Sequence, residues 1–159
     1  MRELVVHAEK VAFLLMKRRE TVAVAESSAG VLISAALLAV PGASGYFIGG
    51  SVIYTAQAWH ALRDFDKKLL EGFRSSTEEN ALIRARIARD RFGATRGVGE
   101  TGAAGPAGNR YGDPAGHVCL AVSGANERAI TLETGSGDRL GNMHAFTAAA
   151  LKLLEEALS

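Results

Sequence analysis

The 159-residue chain is short of cysteine (one), proline (three) and aromatic side chains (6 %), and neither sign of charge dominates it. Each shortage excludes something. The lone Cys119 rules out an intrachain disulfide, and its place in the apolar run "HVCLAVSG" reads as a small buried hydrophobe rather than a reactive thiol. Eighteen basic against seventeen acidic residues leave a formal net charge of +1, so no broad field favours nucleic acid or an anionic membrane as a partner. No apolar run approaches the roughly 20 residues needed to span a bilayer. The opening "MRELVVHAEKVAFLLMKRRE" mixes charge through its apolar positions, unlike a signal-peptide core. These features lead us to expect a cytoplasmic protein with one domain over residues 1–159, long enough to bury a continuous core. His7, His60, His117 and His144 are scattered without H-x-x-x-H spacing, so no metal is expected.

The patterns that are present alternate between two periods. Leu4, Ala8, Val11 and Leu15 recur at helical spacing and predict an amphipathic helix over 2–19, with Lys17, Arg18 and Arg19 favourably placed at its C-terminus. "TVAVAE" (21–26) reads as a buried strand, followed by a turn at Ser27–Gly30 and an apolar helix over 31–40. "GGSVIYT" (49–55) predicts a second strand and "AQAWHALRDF" (56–65) a short helix. Ser75, Ser76 and Thr77 are candidate caps for a helix with Ala81, Ala85 and Ala88 on one face. "ATRGVGET" (94–101) predicts a strand. Residues 102–116 hold five glycines and two prolines, which predicts a long loop of the kind that carries function. Two β-rich runs around Gly124-Ala125-Asn126 predict a hairpin, and a last helix follows Gly137-Asp138. Strands interleaved with helices give an α/β layered domain, mostly parallel, with an antiparallel hairpin.

Several motifs fail on inspection. "GVGETG" (97–102) satisfies G-x-G-x-x-G by letter, yet it runs on into loop-forming Ala103-Ala104-Gly105-Pro106 instead of opening a helix. No P-loop exists, and Gly42-Ala43-Ser44-Gly45 misses the G-x-S-x-G elbow by one position. Three segments retain chemical interest. Glu26-Ser27-Ser28 offers hydroxyls and backbone N–H groups at a helix N-terminus, suited to a phosphate or carboxylate, or else to plain capping. Thr101 and the small residues of "ETGAAGPAGNRYGDPAG" allow a ligand to approach the backbone, or else form a plain turn. Arg139 in "TGSGDR" lies beside a helix start, where a guanidinium can hold a phosphate or sit in solvent.

Taken in order, "TVAVAESSAG", "VPGASGYFIGGSVIYT", "ETGAAGP", "DPAGHVCLAVSG" and "TGSGDR" resemble the CinA carboxy-terminal domain family over roughly residues 4–157. The resemblance implies a three-layer α/β/α fold, a homo-oligomer (commonly a dimer), and no metal or other cofactor. Characterised members are nicotinamide mononucleotide amidohydrolases, so it also implies hydrolysis of a pyridine nucleotide or related small amide. The resemblance places the nucleophile at Ser44, its assisting tyrosine at Tyr54 and the family's basic lysine on Trp59. The implied pocket joins the ends of strands 21–26, 50–55 and 96–101 with the Gly-rich loop. Its substrate-binding residues would be Glu26, Ser27, Gly30, Trp59, Arg63, Thr101, Gly102, Gly105 and Arg139.

Trp59 has a chemical consequence. A serine hydroxyl needs a base within hydrogen-bond reach, which a desolvated lysine can provide and an indole cannot. Arg63 shares Trp59's predicted helical face but stays protonated, while His60 points about 100 degrees away around the helix. Two rivals therefore stand beside the amidohydrolase: a catalytically impaired nucleotide-binding relative, and a dimeric structural module with a vestigial pocket.

Overall fold

A computed structural model describes residues 1–61 and 72–159. Its elements run α1 (Arg2–Arg18), β1 (Val22–Glu26), α2 (Leu32–Leu38), a 3-10 turn (Ala43–Gly45), β2 (Phe47–Val52), α3 (Ala56–Ala61), α4 (Glu78–Phe92), β3 (Arg96–Ala103), β4 (His117–Ser123), β5 (Arg128–Glu133) and α5 (Arg139–Leu158). The five strands form one sheet in the order β2-β1-β3-β4-β5. β2, β1 and β3 are parallel, and β4 and β5 continue the sheet antiparallel. This is the expected mixed α/β sheet, with the antiparallel hairpin at Gly124–Asn126.

Helices cover both faces. Val22, Val24, Val98, Val118, Leu120 and Val122 point toward α1, α2 and α5 and join Leu15, Ile33, Leu37, Phe146 and Leu154 in the main core. The alternate residues Ala23, Ala25, Gly97, Gly99, Cys119 and Ala121 face α4. There the glycines are required by proximity: a Cβ on Gly97 would fall 1.8 Å from the Ala85 carbonyl oxygen, and one on Gly99 2.0 Å from that of Ala81. The glycines of "GVGETG" thus seat a helix directly on β3. Cys119 is buried in this layer, where burial pushes its thiol pKa up. That environment matches its reading as an inert side chain.

The element boundaries differ from expectation in ways the packing explains. β2 starts at Phe47, two residues early, because Val22 of β1 pairs with Phe47. β3 extends through Gly102 and Ala103, which pair with Val118 and His117 of β4, so the loop begins at Ala104. α2 starts only at Leu32 because Val31 adopts a left-handed conformation (φ 78°). Of the candidate caps it is Thr77 that accepts a hydrogen bond from the Asn80 amide (3.3 Å). Among the described residues no helix is long and apolar enough to cross a membrane, and no cluster of three His, Cys, Asp or Glu suited to a metal occurs.

Candidate ligand site

Because β1, β2 and β3 run parallel, their C-terminal ends lie along one edge of the sheet, where α/β folds bind ligands. Glu26 and Ser27 close β1 there, Ile53 and Tyr54 follow β2, and Thr101 to Gly105 lead out of β3. The Ile53 amide still donates to the Glu26 carbonyl (2.8 Å), holding Tyr54 beside the β1 exit. α5 brings in Arg139, whose Nη1 donates to the Gly105 carbonyl (2.5 Å) and whose Nη2 donates to the Tyr54 hydroxyl (3.0 Å). Buried Asn142 fastens the same loop, donating to the carbonyls of Ala104 and Ser136 (both 2.8 Å). Tyr54, Gly105 and Arg139 are thus physically joined. Tyr54 is 58 % exposed, so its ring remains open to a ligand.

The amides at the entrance to α2 do not remain free for an anion. Glu100, fully buried on β3, accepts from the Ser27 amide (2.7 Å), the Ala29 amide (2.9 Å) and the Ser28 hydroxyl. Glu26 turns onto the helix itself and accepts from the amides of Ile33 (3.0 Å) and Ser34 (2.9 Å) and from the Ser34 hydroxyl (2.5 Å). Burial raises the Glu26 pKa, the Ser34 and Ile33 hydrogen bonds oppose that, and the nearby Glu100 charge adds to it. Two of the chain's own carboxylates therefore fill the anion-binding role expected of this helix N-terminus. Glu26 is a cap here, which corrects its assignment to ligand binding. The Ser27 hydroxyl makes no hydrogen bond among the described residues, and Ser27 is buried at the end of β1.

Other expected site residues have structural duties. The Thr101 hydroxyl is buried and accepts from the Ser76 amide (3.1 Å). Gly102 makes room for β4, since a Cβ there would meet the His117 carbonyl oxygen at 2.5 Å. Gly30 closes the turn after β1, its amide donating to the Ser27 carbonyl (3.2 Å). Ser44 is a sharper correction. It sits exposed in the 3-10 turn before β2, whereas Tyr54 follows β2, so six residues or about 20 Å of strand separate them. Within one chain Ser44 and Tyr54 cannot exchange a proton. Arg63 lies outside the described residues.

Trp59 on α3 does reach the site, and it does so through a residue that the sequence reading missed. Its ring lies 4.5 Å from the Arg84 guanidinium of α4. Arg84 is 2 % exposed; its Nε donates to Asn80 Oδ1 (2.7 Å) and its Nη1 to the Ile53 carbonyl (3.3 Å). Burial lowers its pKa to about 10, with the Glu100 charge acting the other way. Arg84 and Glu100 were detectable as charges inside apolar patterns. Arg84 falls on the Ala81-Ala85-Ala88 face of α4, and Glu100 interrupts a strand of small residues.

The comparisons agree with this fold. Residues 5–158 match the family model for the CinA C-terminal domain. The chain belongs to that family. It is 37 % identical over 155 residues to a CinA-like protein of Chlorobium phaeobacteroides, covering 94 % of this chain and 37 % of the relative. A CinA-like protein of Chlorobaculum tepidum is 39 % identical over 149 residues, covering 91 % and 35 % respectively. This CinA domain thus spans little more than a third of the length of those curated relatives. Among solved structures, a competence or damage-inducible protein from Enterobacter asburiae superposes with a TM-score of 0.89 at 27 % identity over 98 % of both chains. The competence/damage inducible protein CihA from Agrobacterium tumefaciens gives 0.86 at 28 % identity over 98 % of this chain and 96 % of its own.

Proposed function

We propose that this CinA domain binds a pyridine nucleotide at the C-terminal edge of β1, β2 and β3, and that its pocket is built for binding rather than efficient amide hydrolysis. The observation that carries this is the pairing at the position where the family resemblance places a basic lysine: Trp59 stands there, stacked on buried Arg84. An indole has no lone pair to accept a serine proton, and a guanidinium with a pKa near 10 keeps its own. Arg139 is exposed at the start of α5 and anchored through neutral oxygens, so its charge is available to a ligand phosphate. Exposed Tyr54 beside it offers a face for a sugar or ring.

Calorimetry with nicotinamide mononucleotide, run beside an ammonia-release assay, tests both halves. Binding with negligible turnover is expected. Arg139→Ala should weaken affinity by about one to two decades, the worth of a charge-assisted contact of roughly 1.5–3 kcal/mol. Absence of binding, or robust turnover, overturns the reading.

A second reading, slow amide hydrolysis, is favoured by one observation: buried Ser27 ends β1 at the sheet edge that also holds Tyr54 and Arg139, and its hydroxyl makes no hydrogen bond among the described residues. Under it, Trp59→Lys should raise ammonia release tenfold or more, within the 10²–10⁴-fold scale of a positioned base. Ser27→Ala should abolish the gain while Ser44→Ala leaves it intact; dependence on Ser44 would sink this version.

A further inference from the structure

Arg84 and Arg96 are both almost fully buried, 2 % and 1 % exposed, and they are built in opposite ways. A buried guanidinium is costly unless a counter-charge and hydrogen bonds replace its water. Arg96, at the start of β3, meets the charge requirement with the Glu20 carboxylate through Nε and Nη2, although its buried Nη1 has no hydrogen bond among the described residues. Arg84 has no such partner: no carboxylate among the described residues lies within ion-pair distance of it. Glu100 acts on it electrostatically, yet the Glu100 oxygens are spent on Ser27, Ser28 and Ala29. Two Arg84 nitrogens bind neutral oxygens, and Nη2 has no hydrogen bond among the described residues.

Its location is as telling as its charge. The Ile53 carbonyl that Arg84 holds belongs to the residue just before Tyr54, and the Ile53 amide is bonded to Glu26, just before Ser27. This guanidinium, without an ion-pair partner among the described residues, therefore lies at the edge where β1 and β2 end, against the Trp59 ring. We propose that Arg84 is the specificity determinant of this pocket, selecting a pyridine ring that bears a carboxylate over the same ring bearing a carboxamide. This rests on the binding reading above and adds the ligand's chemical form. A guanidinium offers only donors, which a carboxylate matches with two acceptor oxygens and the missing negative charge. A carboxamide brings no charge and sets its own NH2 donors against those of Arg84. The Trp59 ring on one side weakens competition from water, which strengthens the preference.

Trp59 is the chain's only tryptophan, so its fluorescence reports directly on this site. The experiment titrates the purified protein with nicotinic acid mononucleotide and with nicotinamide mononucleotide, both probes sharing the same sugar phosphate. The acid form is expected to bind at least tenfold more tightly, and Arg84→Met, similar in length and uncharged, should bring the ratio to near one. Arg84→Lys, which keeps the charge but loses the fork, should leave a reduced preference of the same sign. Equal affinities in the parent protein overturn the proposal while leaving the binding reading in place, as does a ratio that survives Arg84→Met. If Arg84→Met does not fold, the lysine variant decides, and an undiminished ratio there overturns the proposal. Absence of binding by either nucleotide removes both the proposal and the reading beneath it.

Discussion

The two faces of the sheet are packed on different principles. Toward α1, α2 and α5 the strands present Val22, Val24, Val98, Val118, Leu120 and Val122, and the layer between sheet and helices is filled by branched side chains. Toward α4 they present Ala23, Ala25, Gly97, Gly99, Cys119 and Ala121, and the helix backbone itself fills the layer. The thick face is mostly apolar, with its buried carboxylates Glu26 and Glu100 gathered at the entrance to α2, and it is redundant, since a removed methyl leaves neighbours able to close in part. The thin face has no such slack. It also carries buried polarity: Asn80, Arg84, Thr101, His117 and Ser123 are all buried on or against it. A helix seated that close brings its own polar side chains within reach of the strand ends, which is how Arg84 arrives at the Ile53 carbonyl. The site's most unusual charge is therefore a product of the small-residue face.

The largest effect should come from closing that thin layer. Gly97→Val would drive a branched side chain into the Ala85 carbonyl and is expected to cost more than about 4 kcal/mol, leaving little folded protein. Leu120→Ala on the thick face should cost about 2–5 kcal/mol and still unfold cooperatively in urea. A Gly97→Val protein of parental stability would show that α4 does not rest on β3.

A smaller gain is expected where the site's own backbone is strained. Val31 is β-branched, 51 % exposed and held at φ 78°. Val31→Gly should relieve about 1–2 kcal/mol of left-handed strain, less about 0.5–1 kcal/mol for glycine's extra freedom when unfolded. A net rise in stability by chemical denaturation is the expected result, and a loss would show that the Val31 side chain contributes packing that outweighs its backbone cost.

The smallest effect distinguishes the faces by pH. His117, on the α4 side, has Nδ1 2.5 Å from Glu133 and Nε2 3.0 Å from the Ser76 carbonyl, two acceptors that are both satisfied only by the charged ring. Burial opposes that charge, but Glu133, Ser76 and Asp113 outweigh it and hold the His117 pKa above its ordinary value. The folded state then binds the proton more tightly than the unfolded one. Its contribution is complete below the unfolded pKa near 6.5 and is lost as pH rises through the raised folded value. Thermal melts of the parent and His117→Gln should differ most at pH 5–6 and converge at alkaline pH. A difference that grows with pH would reverse the assignment.

Sequence alone determined the layered α/β class, the order of the elements, the antiparallel hairpin and the core faces of α1, α4 and α5, because those follow from local periodicity and turn chemistry. It also singled out Tyr54, Gly105 and Arg139, which the structure joins by hydrogen bonds. The pairing of Ser44 with Tyr54 came from the family resemblance, and within one chain the fold does not bring the two together. Ser44 and Tyr54 are ten residues apart, but the chain between them is a strand, and a strand carries its two ends to opposite edges of the sheet. A similar limit hid the roles of Glu26 and Glu100. Whether a carboxylate at a strand end meets a ligand or caps the next helix depends on where that helix's amides lie, and only the packed structure fixes that. Arg84, thirty-one residues beyond the Ile53 carbonyl it binds, becomes part of the site because glycines on a third element let α4 settle onto the sheet.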